Sequence, residues 1–321
     1  MTKAQELDTV FDNLSDEAKI QFLLKLQYKE DIPKAFSLKA MDFLKKKEEK
    51  YQATAAIFAE KAGKIQEAIE IHKKRGYLDT AGKVAERNNH PEEAHELYKQ
   101  YIESRKKEIG SESDIKVKES RISVLISFAR DKGFFKTAIE LYEELGNISE
   151  YHADHYYMRG GDIAEKHGFE EEVFRLYTRA SIVYENRAER FSDYHNGFHM
   201  AIYYAEKAGN DERVLELHRK VIRKLKNNEF GSSFREEPIN YAEKNGLIDD
   251  AVDLCEEKQL FERGGDVARK HDREDKAREL YSKAIDICEL EGNFEHALKI
   301  AKKSGLEEKV RILGLAKEVL A

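Results

Sequence analysis

The 321-residue chain carries 56 Lys and Arg against 63 Asp and Glu; 37% of it is charged, where soluble proteins average roughly 25%, yet 40% is hydrophobic. That apolar share excludes a disordered tail, and only 3 Pro and 18 Gly exclude a turn-rich all-β domain. A net charge of −7 provides no global field toward nucleic acid or an anionic membrane. The sequence has no run of about eighteen apolar residues and no secretory signal over Met1 to Val10, so the expected setting is the cytoplasm, with no membrane contact. Cys255 and Cys288 form no Cys-x-x-Cys pair, which fits a reducing compartment and supplies no thiolate metal site.

Residues 1–50 hold apolar side chains at helical spacing, among them Leu23, Phe36, Met41 and Leu44, without the pattern that follows. They predict an N-terminal helical cap, with Ser15 before Asp16 and Glu17 as a helix start. From residue 51 a repeat begins. Its landmarks are Ala59, Ala85, Ala129, Ala164, Ala205, Ala242 and Ala268. Four residues after each stands Gly63, Asn89, Gly133, Gly168, Gly209, Gly246 or Asp272, types that tolerate the left-handed backbone ending a helix. Nine residues after each comes a small or β-branched residue (Ala68, Ala94, Ala138, Val173, Val214, Ala251, Ala277), and three further on an Ile or Leu, so both share one helical face. Each unit therefore predicts helix A, a tight turn and an antiparallel helix B. An eighth, degenerate copy is expected from Cys288 through Gly292, Ala297 and Ile300, inside a repeat region of 51–301; 302–321 is expected to be a C-terminal capping helix. Pro33, Pro91 and Pro238 sit where helices should start, while Gly110 to Asp114 and Asn227 to Glu237 are expected loops.

Two stretches, Arg159-Gly160-Gly161-Asp162 and Arg263-Gly264-Gly265-Asp266, are near copies. Glycine inside a helix costs about 1 kcal/mol relative to alanine, so close packing by another helix is the expected compensation; a phosphate loop would need a preceding strand. Gly265, Ala268, Ala277, Tyr281 and Ala284, echoed by Gly161, Ala164, Val173, Tyr177 and Ala180, resemble the small, aromatic and closing-alanine positions of the tetratricopeptide (TPR) family and its looser relatives. The resemblance spans about Gln52 to Ala301. It lacks Trp and the unit-closing Pro, and the unit spacing runs from 26 to 44 residues rather than about 34. It implies an all-α, right-handed α-solenoid of stacked antiparallel helix pairs with helical caps at both ends, whose groove binds peptides or helices.

No nucleophile elbow, Walker loop, dinucleotide fingerprint or His-Glu-x-x-His is present. His152 and His155 stand beside Tyr156, and some forty residues on His195 and His199 stand near Tyr203; the four histidines could share a zinc ion, but without carboxylate or thiolate company the preferred reading is partner contact by amphipathic rings. The segment 213–226, with Arg219, Arg223 and Lys224 among its cations, suits a helix macrodipole and solvation; an acidic partner, RNA or a ribosomal surface is the alternative. The expected function is thus a non-enzymatic protein–protein interaction scaffold with a protein or peptide partner, no cofactor and no metal. An RNA- or ribosome-associated repeat protein is the runner-up. The last helix is apolar at Ile312, Leu313, Leu315, Val319 and Leu320; packing back onto the last repeat is the preferred reading, and self-association the alternative.

Overall fold

The computed structural model describes residues 2–190, 195–230 and 237–320, apart from the side chains of His195 and Leu320. It divides into two compact units, Met1–Ser149 and Glu150–Ala321. Among the described residues every regular element is helical. In the first unit the helices are α1 (Lys3–Asp12), α2 (Asp16–Leu26), α3 (Lys34–Lys45), α4 (Gln52–Lys61), α5 (Ile65–Lys74), α6 (Leu78–Arg87), α7 (Pro91–Gly110), α8 (Ile115–Asp131) and α9 (Phe135–Ile148). The second unit holds α10 (Ala153–His167), α11 (Glu170–Arg190), α12 (His195–Ala208), α13 (Asp211–Lys226), α14 (Pro238–Lys244), α15 (Ile248–Glu257), α16 (Phe261–Lys270), α17 (Glu274–Leu290), α18 (Phe294–Ser304) and α19 (Glu307–Leu320). Within each unit, helices pack chiefly on their neighbours in sequence, the one-dimensional stacking of a solenoid. The all-α solenoid expected from the repeat is the observed architecture.

All seven landmark alanines are fully buried. Each also stands third or fourth from the end of its helix: the Ala59 carbonyl accepts from the Lys64 N–H at 2.8 Å, and that of Ala164 from the Phe169 N–H at 2.9 Å. The residue between, Gly63 (φ 79°) or Gly168 (φ 73°), is left-handed. This six-residue closure satisfies the carbonyls that a helix end otherwise leaves without partners. Ser15 caps α2; Pro91 and Pro238 occupy the first turns of α7 and α14, and Pro33 directly precedes α3. Gly110 is the last residue of α7, and the Asp114 carboxylate caps α8 by accepting from the N–H groups of Lys116 and Val117. Of the second expected loop, Gly231, Ser232 and Ser233 lie outside the described residues.

The same closure recurs where helix B returns to the next helix A. The carbonyls of His72, Cys255 and Cys288 accept from Tyr77, Leu260 and Asn293. Cys288 therefore belongs to α17, a B helix, and the last helix-A landmark is Ala301, followed by left-handed Gly305 and by Val310 and Leu313. The register expected from Cys288 is thus shifted, because one turn motif serves both ends of a helix and its residues do not say which. The irregular spacing has the same origin. Ala59, His72 and Ala85, like Ala242, Cys255 and Ala268, advance in steps of 13 residues, the length of a three-turn helix plus its closure. Longer B helices such as α7 and α11, of 20 and 21 residues, stretch the interval.

Candidate functional site

The second glycine of each Arg-Gly-Gly-Asp copy is explained by a tyrosine, whereas Gly264 faces Cys255 and Leu280. A Cβ on Gly161 would stand 2.5 Å from the Tyr177 ring, and one on Gly265 2.7 Å from that of Tyr281; Gly82 and Tyr98 repeat the arrangement in the first unit. Only a bare backbone admits the ring that closely. The phenols are tied down as well. Tyr281 donates to Asp266 at 2.6 Å, Tyr98 donates to Glu86 at 2.6 Å, and the Tyr177 oxygen lies 2.9 Å from both Asp162 and Glu165. A cation from the following helix A covers each ring: Lys132 on Tyr98, Lys207 on Tyr177 and Lys303 on Tyr281. Burial, reinforced by the Glu86 carboxylate, pushes the Tyr98 phenol up to about 12; Tyr177 and Tyr281 move in the same direction for the same reasons. These groups are structural and stay protonated. The Asp of each motif is a tyrosine acceptor.

Beyond this shared cluster the two copies diverge. In the first, Tyr184 on α11 stacks on Tyr204 of α12, with centroids 5.6 Å apart and planes at 8°, and Tyr177 leans on the same ring at 5.7 Å. Counting from the landmarks, Cys288 replaces Tyr184 and Ile300 replaces Tyr204 in the second copy. Both smaller residues line an open cleft of about 430 Å³ between α16, α17 and α18. Ile287 and Ala284 complete its floor, with Leu260 and Phe261 beside them, and Glu262, Arg263, Asp266 and His296 carry the charge at its rim. His296 Nε2 stands 3.1 Å and Lys303 Nζ 3.2 Å from Glu262, while Arg263 donates twice to Glu237 and once to Asn240. Burial raises the Cys288 and Cys255 thiols, so neither is an activated nucleophile. A second cleft, of about 390 Å³, opens between α7 and α8 beside Tyr101, Arg105, Arg121 and Val124.

The residues singled out from sequence are spread over three helices, α10, α12 and α13. His152 precedes the first residue of α10; it and His155 are exposed, and Tyr156 is half-buried with its ring 5.9 Å from that of His155. On α12, His199 and Tyr203 are exposed, and Tyr203 meets Tyr204 edge-on at 5.0 Å; the His195 side chain lies outside the described residues. Among the described residues no group of three or more His, Cys, Asp or Glu is placed to hold a metal ion. The His218 imidazole is driven toward its neutral form by burial and then by the charge of His199, and its Nδ1 lies 3.0 Å from the Tyr241 hydroxyl.

The basic helix spends much of its charge inside the molecule. Arg213 reaches buried Glu185 at 2.6 Å and donates to Ser181, and Lys220 bonds the other Glu185 oxygen. Burial pushes the Glu185 carboxyl up, but the hydrogen bonds from Lys220 and Arg213 outweigh it and hold the group below the ordinary carboxylate range. Arg219 pairs with Asp250, Lys224 with Glu229 and Lys226 with Glu257; Arg223 is exposed. The signal that would have exposed this in the sequence is weak, since Asp250 and Glu257 are acids about 31 residues downstream.

No family model matches the chain, and no curated protein does. Solved structures align at low similarity. A signal-transduction ATPase with a tetratricopeptide repeat sensor from Pyrococcus horikoshii is 13% identical over 98% of this chain and 50% of its own, with a TM-score of 0.27. The C-terminal part of a TPR repeat-containing protein from Cytophaga hutchinsonii is 12% identical over 93% and 99%, with a TM-score of 0.26. The apo form of the quorum sensor NprR from B. thuringiensis is 14% identical over 94% and 90%, with a TM-score of 0.22. The chain spans half the length of the first of these. At such scores the reading of the fold rests on the helix stacking itself. No described helix is long and apolar enough to cross a membrane.

Proposed function

We propose that this protein is a non-enzymatic interaction scaffold whose second unit takes an apolar or aromatic side chain of a protein or peptide partner into the cleft between α16, α17 and α18. The observation that supports it is the internal comparison: where the first copy seats two stacked tyrosines, the second has Cys288 and Ile300 and an open cleft. A site that accommodates rings in one copy is shaped for a ring from outside in the other, and a buried aromatic anchor is what concentrates binding energy at interfaces. The rim charges Glu262, Arg263, Asp266 and His296 would orient the flanking polar groups. On this reading the candidates from sequence, His152, His155, Tyr156, His195, His199, Tyr203, Arg219, Arg223 and Lys224, would be contacts outside the anchoring cleft.

The decisive experiment compares the native chain with a Cys288→Tyr, Ile300→Tyr double variant as bait in cell extract treated with ribonuclease. The expected outcome is a protein partner retained at about 0.5 M salt by the native chain and lost by the filled variant, with the variant's melting temperature unchanged or higher. Equal capture by both would reject the cleft. Capture abolished by ribonuclease, with affinity falling steeply as salt rises, would move the assignment to nucleic acid. The pairing of Arg219, Lys224 and Lys226 with acids of the same chain supports the protein reading over that one.

A further inference from the structure

Helix α19 has two apolar sides. Leu313, on a helix that packs on α18, is buried, with 1% of its surface exposed. Ile312, Leu315 and Val319, at 49%, 58% and 84%, form a separate stripe. At 100° per residue the stripe falls on nearly the opposite side of the helix from Leu313 and Val310. Its 3–4 spacing is that of a coiled-coil seam, with Ile312 and Val319 at one core position and Leu315 at the other.

We infer that this stripe is the contact of a twofold-symmetric, antiparallel dimer between two copies of this chain. The charges flanking the seam choose the occupant. Lys309 is consumed within the chain by Asp286 and Glu289, and Lys317 by Glu295. Arg311 and Glu318 are exposed and, among the described residues, have no ion-pair partner. Both occupy the position just before a core residue, on the same edge of the seam. With the twofold axis passing between Ile312 and Leu315, Ile312 of one copy meets Leu315 of the second. The same register sets Arg311 beside Glu318 of the second copy, twice by symmetry. Val319 then lies over the aliphatic stem of Glu308. A parallel pair would instead set Arg311 beside Ala316 of the second copy, with no charge to meet it. The surface is self-complementary in apolar pattern and in charge only in the antiparallel sense. One short helix on each side buries less than a standard interface, so the expected dissociation constant is in the micromolar range.

Sedimentation equilibrium on the full chain, from about 1 to 200 µM, tests the assignment. The expected result is a monomer–dimer equilibrium. Leu315→Glu, at an exposed position, should weaken it roughly a hundredfold without changing the melting temperature, and Ile312→Lys should act likewise. Arg311→Glu should weaken it about tenfold, and Arg311→Glu with Glu318→Arg should restore it to within about threefold. A native chain that stays monomeric throughout, a dimer indifferent to Leu315→Glu or to Arg311→Glu, or a charge-swapped pair that fails to recover would each overturn it.

Discussion

The two Arg-Gly-Gly-Asp copies are the same motif in two states of repair. The first is sealed: Tyr184 stacks on Tyr204 and Tyr177 leans on the same ring, and the adjacent ion pair Arg213–Glu185 is almost wholly buried, its side chains 12% and 7% exposed. The second is open, and at the matching positions Lys309 pairs with Glu289 with side chains 32% and 29% exposed. A repeat thus fixes the glycine, the tyrosine and their carboxylate, while two substitutions farther along decide whether the space beside them is core or cleft.

The sharpest way to break this contrast is to give the sealed copy the residues of the open one. Tyr184→Cys with Tyr204→Ile removes two packed rings and should cost about 5 kcal/mol in denaturant unfolding; a loss below about 1 kcal/mol would mean that the stack is not core. Next come the ion pairs. Glu185→Ala strands Arg213 and Lys220 in a buried site and should cost about 3 kcal/mol, whereas Glu289→Ala at the half-exposed counterpart should cost under about 1 kcal/mol. Acidity sharpens the same difference. Glu185 is depressed in the folded state, so its contribution is complete above the ordinary carboxylate pKa of about 4.3 and disappears as the pH falls through the lower folded value. Glu185→Gln should remove that acid-side loss from a pH series of melting curves.

Smaller effects follow at the glycines. Gly161→Ala drives a methyl into a Tyr177 ring hemmed in by Tyr204 and should cost about 2 kcal/mol net of the helix propensity it gains. Gly265→Ala should cost about 1 kcal/mol, because among the described residues no aromatic ring packs on Tyr281 and its acceptor Asp266 lines the cleft; equal losses in thermal unfolding would show that the stack adds no stiffness. The smallest change in stability belongs to the filled cleft. Cys288→Tyr with Ile300→Tyr should leave unfolding within about 1 kcal/mol of the native chain, its signature being lost partner capture.

Much of the fold was legible because its landmarks obey local rules. Ala164 followed by Gly168 announces a helix closure from sequence spacing alone, and Gly161 and Gly265 announce a close neighbour through their cost in a helix. The register after Cys288 was not legible, since the closure looks alike at both ends of a helix. Charge misled for a different reason. Arg213, Lys220 and Lys226 read as a basic face along α13, but the acids that meet them stand on α11 and α15, and one-dimensional counting does not bring distant helices together. The cleft is hardest of all to see, because no motif marks it. It appears only when Cys288 and Ile300 are set against Tyr184 and Tyr204, a comparison that needs the correct register first.

The shared closure, with its 13-residue step from Ala59 to His72 to Ala85, constrains how such a chain can change length. Removing one helix and its turn would reverse the direction of everything downstream and present the wrong side of each later helix to its neighbour. Removing two leaves direction and facing intact. Growth and shrinkage of the array are therefore quantised in helix pairs, 26 residues where both helices are short, and a deletion series stepping by 13 should alternate between insoluble and folded products.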